Sequence, residues 1–346
     1  MAEVTLVEAV NLALGRAMED DPDVVVLGED VGVSGGVFRA TLGLQKRFGA
    51  DRVLDTPLAE LLISGICVGM AAQGLKPVGE IQFMGFMYPC LDQLVNHASR
   101  IRNRTQGRLT CPMVLRTPHG AGIRAPEHHS ESTEAMLAHI PGLRVVIPSS
   151  PERAYGLLLA AVRDPDPVVF LEPTRLYRAA KGEVQDNGEA LPLDRAFVLR
   201  QGRDITLIGW GAVLREITAA ADLLSAEGIG AEIIDLARSS LMMKEPCSAR
   251  SQRPDVASSC TRRPGPADSG PRSRPLSPNV ACPRCSRLSP ASPAMTPSSR
   301  WHAWSNTTCR RSNASSARHA RRASSTKPQR TLSHAPVHAA GSRRGP

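Results

Sequence analysis

Apolar positions in the first two thirds of the chain follow two distinct periods. In "TLVEAVNLALGRAMEDDP" (residues 5–22), Val7, Val10, Leu14 and Met18 fall on one face at helical spacing. Thr5 and Glu8 have the spacing of a capping box, so a helix is predicted to begin there. "DVVVLGEDVG" then changes to a continuous apolar run that ends among glycines, the pattern of a buried strand feeding a loop. After "RVLDTPLAE" an apolar helix is predicted over 57–74, with Pro57 suited to its first turn and Gly74 to its end. "KPVGEIQF", "CPMVLRT", "GLRVVIPS" and "PVVFLEP" read as strands, and "PERAYGLLLAAVRD" as a helix. Strands alternating with helices predict an α/β fold, a mostly parallel sheet with helices on both faces. Near residue 204 a second unit begins: "DITLIGWG", "AVLREITAAADLLSAEG" and "IGAEIIDLA" form one strand, helix, strand module, enough to start a smaller α/β domain.

At "DLARSSLMMKEPCSARSQRP" (235–254) the periodicity stops. From Arg238 onward there are 20 Lys or Arg against 3 Asp or Glu, whereas residues 1–237 carry 22 basic and 30 acidic side chains. The net charge of +9 therefore belongs entirely to the tail, and the rest has the balance of an ordinary acidic protein. The tail also holds 14 of the 28 prolines and 5 of the 8 cysteines, with no sustained apolar period, a composition that cannot bury enough surface to fold. The expected organisation is a first α/β domain over 1–195, a partial second domain over 200–237, and a basic Ser/Pro/Arg-rich tail over 238–346.

Localisation and broad class follow from what is missing. "MAEVTLVEAV" has neither a basic leader nor a cleavable apolar stretch, and only Cys67, Cys90 and Cys111 precede the break, so a cytoplasmic protein without a disulfide framework is expected. The longest apolar run, "LLISGICVGMAAQGL" at 61–75, is short for a membrane span. A P-loop and a "GxGxxG" turn are absent. The single "CPRC" of the tail has no partner pair at finger spacing.

Polar groups concentrate in three stretches where loops meet strand ends, the usual place for ligands in parallel sheets. "LDTPLAE" ends in Glu60, where a helix dipole favours a carboxylate with or without a function. "GEIQFMGFMYPCLDQ" contains Glu80, Gln82, Phe86 and Tyr88, either a piece of core or a stacking platform. "RTPHGAGIRAPEHHSES" carries His119, His128 and His129; adjacent histidines on an extended segment point to opposite sides, so a shared metal is disfavoured and a single proton-transfer histidine is the better reading.

In this order and spacing, "GEDVG", "DTPLAE", "EIQF…YP…DQ", "HHSES" and "VVFLEP" resemble the beta subunit of the thiamin-diphosphate-dependent decarboxylating component of 2-oxo acid dehydrogenase complexes, from about Val4 to Leu236. The resemblance implies a pyrimidine-binding fold followed by an incomplete transketolase C-terminal-like domain. It implies that Glu60 hydrogen-bonds the pyrimidine ring of thiamin diphosphate, from a protonated state that burial would favour. It places Phe86 on the face of that ring, aligns His129 with a histidine of proton transfer and reductive acylation, and puts Glu29 and Gln82 in the surrounding pocket. The helix end "AAVRDPDP" resembles a potassium-binding turn that would use backbone oxygens near Ala161 and Asp164; a plain helix stop before proline explains it equally.

The "GDG" motif and Asn-containing loop that hold Mg²⁺ and the diphosphate in such enzymes are not found in this sequence. The resemblance therefore implies a separate alpha subunit in an α2β2 assembly, a site between subunits, and docking to a lipoyl-bearing acyltransferase core. The details of "EIQF", "HHSES" and "FLEPTRLYR" favour branched-chain 2-oxo acids over pyruvate.

The family continues past "IIDL" with the rest of its second domain, and this chain does not. A shift of reading frame near 237–241 would account for the break. If intended codons begin on the third base of those read, each UCN serine codon places U at the second position of an apolar codon. "VASSCTRRPGPADSGPRSR" (256–274) and "MTPSSRWHAWSNTTCRRSN" (295–313), read in that one frame, both permit stretches resembling the family's second domain. Two other readings stand beside the enzyme subunit. One is an inactive remnant. The other is a basic-tailed nucleic-acid binder, acting by counterion release and without sequence preference.

Overall fold

The computed structural model describes residues 2–237. The basic tail expected over 238–346, with its change of frame, lies outside the described residues. The elements are β1 (Ala2–Thr5), α1 (Leu6–Asp20), β2 (Val24–Gly28), α2 (Leu44–Phe48), β3 (Val53–Asp55), α3 (Glu60–Ala72), β4 (Lys76–Glu80), α4 (Ile101–Arg104), β5 (Val114–His119), α5 (Glu134–Ala138), β6 (Arg144–Val146), α6 (Pro151–Arg163), β7 (Val168–Pro173), β8 (Lys181–Val184), β9 (Phe197–Arg200), β10 (Ile205–Gly209), α7 (Leu214–Ala226) and β11 (Ala231–Asp235). Short 3-10 turns, among them Met84–Cys90 and Glu127–His129, join them.

Six strands form one parallel sheet in the order β3-β2-β4-β5-β7-β6. Successive side chains on a strand point to opposite faces, so each strand feeds two cores. Val26, Val114, Val168 and Phe170 face the layer of α1 and α6. Leu27, Leu115, Val169 and Leu171 face the layer of α3, α5 and the segment 84–101. Burial on both faces explains why these strands read as unbroken apolar runs.

α1 starts where the capping box was predicted: the Glu8 amide donates to Thr5 Oγ1 at 3.4 Å, and the Thr5 amide donates to Glu8 Oε2 at 2.7 Å. α6 starts with the Ser150 hydroxyl accepting from the Arg153 amide at 3.2 Å and with Pro151 in its first turn. α3 departs from its predicted start. It begins at Glu60 rather than at Pro57, and Ala59 is extended at φ −161° with no side chain to cap the helix. The Glu29 carboxylate, from the loop after β2, accepts the Ala59 N–H instead.

A smaller sheet, β10-β11-β9, pairs β10 and β11 in parallel and adds β9 antiparallel. α7 covers one face through Leu214, Ala221 and Leu224 against Ile205, Leu207, Ala231 and Ile233. The other side is sparsely covered: Val198 and Ile208 are exposed. The module is tied to the main sheet by its last residues. Asp235 is fully buried, accepts the Ser149 hydroxyl, and pairs with Arg153 at 3.1 Å, while Ile147 N–H donates to the Ala237 carbonyl at 2.7 Å.

Candidate functional site

All the residues that converge are at the carboxyl ends of the parallel strands, where loops leave the sheet. Glu29 follows β2, Glu60 opens the helix after β3, and Gln82 follows β4. Phe86 sits in the turn Met84–Cys90, and His129 in the loop after β5. The sheet order places β2, β4 and β5 side by side, which brings these loops together.

Two walls can be described. The aromatic wall consists of Phe83, Phe86 and His129. The His129 ring packs edge-on to Phe83 with centroids 4.3 Å apart and to Phe86 at 5.3 Å, and Phe83 and Phe86 are themselves 5.8 Å apart. The backbones also meet closely, since a Cβ on Gly85 would collide with the His128 main chain. His128 and His129 occupy a 3-10 turn, not the extended segment predicted, and the His128 ring stays exposed at 6.4 Å from Phe86. Of the two, His129 is the half-buried one.

The acidic wall consists of Glu29 and Glu60. Glu29 is buried, and its carboxyl is pushed above the usual carboxylate range, first by burial and then by the nearby Glu60. Glu60 is half-buried at the first turn of α3, with its side chain aimed from the positive end of the helix.

Buried polar atoms normally find partners, so those that do not mark a place for a ligand. Among the described residues, Glu29 Oε1, Thr56 Oγ1, His129 Nδ1, Thr133 Oγ1 and Arg153 Nε are buried without a hydrogen-bond partner, the last of them ion-paired to Asp235. Three of the five come from the two walls and from the loop between β3 and α3. An aromatic face, two carboxyls and unpaired donors and acceptors fit a flat heteroaromatic ring bearing nitrogen and amino groups. Gln82, in the loop after β4, is half-buried.

Behind the site lies a charge network that sequence reasoning missed. Arg116, Glu80 and Glu172 come from the adjacent strands β5, β4 and β7, on the α1/α6 face. Arg116 donates to Glu172 through Nε and Nη2, both at 2.7 Å, and through Nη1 to Glu80, while the Tyr177 hydroxyl donates to Glu172. The signal was present as single charges at the ends of apolar strand runs, in "KPVGE", "MVLRT" and "VVFLEP". A second tie holds the histidine loop: Glu134 accepts from His119 at 2.9 Å and from Trp210, and its carboxyl lies below the usual range mainly because of His119.

The potassium reading falls elsewhere. Ala161 and Asp164 lie at the C-terminal end of α6, which leads into the start of β7 and so lies at the opposite end of the sheet. The Ala161 carbonyl accepts the Asp164 amide at 3.3 Å, and Asp164 pairs with Arg144 at 3.0 Å. The turn is closed by these bonds, which use the Asp164 side chain and one lone pair of the Ala161 carbonyl. Among the described residues, no group of three or more His, Cys, Asp or Glu side chains is placed to hold a metal, and no helix is long and apolar enough to cross a membrane.

One surface of α3 is apolar and open. Leu61 is 48% exposed, Leu62 45% and Ile66 36%, with Gly65 between the last two, and Leu58 just before the helix is 81% exposed. This stripe starts directly beside Glu60.

The fold and the position of the pocket define a transketolase-type domain. Residues 2–180 match the transketolase pyrimidine binding domain, and residues 194–254 match the transketolase C-terminal domain. Among solved structures, a split-gene transketolase forming an inactive beta4 tetramer aligns with a TM-score of 0.54 at 21% identity, over 68% of this chain and 71% of that one. A transketolase from Pichia stipitis aligns at 0.56 and 17% identity, over 73% of this chain and 37% of that one. These likenesses concern the fold.

Sequence relatives carry the assignment further. The chain is 58% identical over 236 residues to the pyruvate dehydrogenase E1 component subunit beta of Acholeplasma laidlawii, covering 68% of this chain and 72% of that protein. It is 49% identical over 236 residues to the protein of the same name from Bacillus subtilis, covering 68% and 73%. The chain belongs to the family of beta subunits of thiamin-diphosphate-dependent 2-oxo acid dehydrogenases.

Proposed function

We propose that this chain is the beta subunit of a pyruvate-decarboxylating component, acting with an alpha subunit and passing the acyl group to the lipoyl-lysine of an acyltransferase core. What supports the reading is the packing of Phe86 against His129 at the same end of the parallel sheet as Glu60, in a chain 58% identical to a subunit of that name. Pyruvate is favoured over the branched-chain substrates expected from the motifs, because the relatives at 46–58% identity carry the pyruvate name. A branched-chain substrate is the alternative.

Thiamin diphosphate, when bound, supplies a carbon nucleophile and a sink for the electron pair left by departing CO₂. The described residues fit its pyrimidine half. Glu60 presents an acid group to a ring nitrogen, and Glu29 fixes the turn from which Glu60 projects by accepting the Ala59 N–H. Phe86 offers a ring face, and Gln82 lines the pocket after β4. His129, packed against Phe83 and Phe86, keeps water off its ring and leaves Nδ1 free to hold or deliver a proton at the acyl group. Mg²⁺ and the diphosphate are assigned to the alpha subunit, which docks on the apolar stripe of α3 beside Glu60. Burying Leu58, Leu61, Leu62 and Ile66 removes water from their apolar surface and closes the pocket in the same step.

The test is co-expression with a matching alpha subunit, followed by size exclusion and a thiamin-dependent decarboxylation assay on pyruvate and on a branched-chain 2-oxo acid. Activity is expected only for the pair and is expected to be abolished by Glu60→Gln. Robust decarboxylation by this chain alone overturns the reading.

A further inference from the structure

The segment Met84–Cys90 touches two parts of the site at once. Through Phe86 and Gly85 it packs against the histidine turn. At its other end Cys90 reaches the first turn of α3, where its Sγ–H donates to the backbone carbonyl of Glu60 at 3.1 Å. The same carbonyl accepts the Ser64 hydroxyl at 3.1 Å, and that hydroxyl also reaches the Leu61 carbonyl at 3.0 Å. Ser64 and Cys90 are both fully buried.

The backbone before and after Glu60 is therefore held from different parts of the chain. Glu29 takes the N–H of Ala59 on one side, and Cys90 with Ser64 takes the C=O of Glu60 on the other. Ala59 gives α3 no side-chain cap, so these bonds set where the helix begins and in which direction the Glu60 side chain leaves it.

We propose that Cys90 is a positioning residue for the reaction, a bridge that fixes the distance between the acid group of Glu60 and the aromatic wall of Phe86 by bonding the Glu60 carbonyl from the segment that carries Phe86. The proposal rests on the reading of Glu60 given above. Burial pushes the Cys90 thiol up to about 11, so it stays a protonated donor through the working pH range. Its sulfur chemistry is unused; what counts is a buried donor at that point.

The substitution Cys90→Val removes the donor at similar volume, and Cys90→Ser restores one. In the full chain, hydrogen exchange of the amides from Leu58 to Ile66 is expected to quicken about fivefold in Cys90→Val, the size of one modest hydrogen bond, and to stay within about twofold in Cys90→Ser. Exchange in α6 is expected to be unchanged, which separates a local loss of order from general destabilisation. With the alpha subunit present, Cys90→Val is expected to raise the thiamin diphosphate concentration for half-saturation and to lower kcat, each by about fivefold. The KM for the 2-oxo acid is expected to stay constant, and Cys90→Ser to recover both values. Unchanged exchange and cofactor half-saturation in Cys90→Val overturn the proposal, as does a Cys90→Ser enzyme equally impaired. Glu60→Gln, run alongside, keeps the two ideas apart. An inactive Glu60→Gln with a silent Cys90→Val removes only the role of Cys90; an active Glu60→Gln removes the reading of Glu60 and this proposal with it.

Discussion

Replacing Arg116 by Met leaves Glu80 and Glu172 facing each other inside the sheet. The Arg116 side chain is 1% exposed and those of Glu80 and Glu172 are 5% and 0%, so water cannot take its place. Arg116 makes a forked pair of bonds to Glu172, both 2.7 Å, and a third bond to Glu80, and all three are lost together. Removing one partner of a buried ion pair costs about 3–5 kcal/mol, a large part of a typical total of about 5–15 kcal/mol. Two carboxylates around one guanidinium already leave one excess negative charge, and burial pushes the Glu80 carboxyl above its usual range, with Arg116 pulling it back.

A carboxyl raised in the folded state contributes stability that is present below its unfolded value and is lost as pH rises through the folded one. Without Arg116 nothing pulls Glu80 back, so the penalty in Arg116→Met should grow from pH 5 to pH 8. Urea unfolding of the full chain, followed by tryptophan fluorescence at several pH values, measures this. The companion Glu80→Gln removes the excess charge and still accepts from Arg116, so it is expected to be close to wild type near pH 5 and more stable at pH 8. A loss in Arg116→Met below about 1 kcal/mol at pH 7.5, or one that shrinks as pH rises, refutes the reasoning.

Three further outcomes are expected. Thr5→Ala removes one half of the α1 capping box and costs about 1 kcal/mol near neutral pH; because the Thr5 amide and hydroxyl hold the Glu8 carboxyl below its usual range, part of that cost should disappear as pH falls through the lowered value, which unfolding at pH 7 and pH 3 can compare. Leu62→Asp places a charge in the open stripe of α3 and should weaken assembly with the alpha subunit by at least about tenfold, with little change in the chain's own melting temperature, as size exclusion and a thermal scan can check. Sequencing the gene is expected to find an open, family-like frame beneath codons 238–346; DNA without one ends the frame-change explanation.

The parts of the fold legible in the sequence were those set by local chemistry. α1 was readable because its cap and its apolar face both lie within one window, and β2, β5 and β7 because burial on both faces removes polar residues from them. The start of α3 was misplaced because its cap comes from Glu29, which lies 30 residues before Ala59 and cannot be seen in a local window. β1 and β8 escaped because they are four-residue strands in a two-stranded ribbon, with β8 mostly exposed and no alternation to display. β9 was missed for the same reason, and with it the antiparallel edge of the smaller sheet. Glu60, Phe86 and His129 stand as candidates through resemblance, whereas Cys90 and Ser64 look like core residues in sequence and gain meaning only from what they touch. The Glu80, Arg116 and Glu172 triad shows the reverse: three charges, each odd in its own strand, are explained once the sheet order makes them neighbours.

The open stripe of α3 also bears on the behaviour of the chain on its own. Four large aliphatic side chains standing in water are what chaperones hold and what self-association consumes. If the stripe is the docking surface proposed above, the polypeptide made in excess would be prone to self-association, and matched synthesis with an alpha subunit would suppress it.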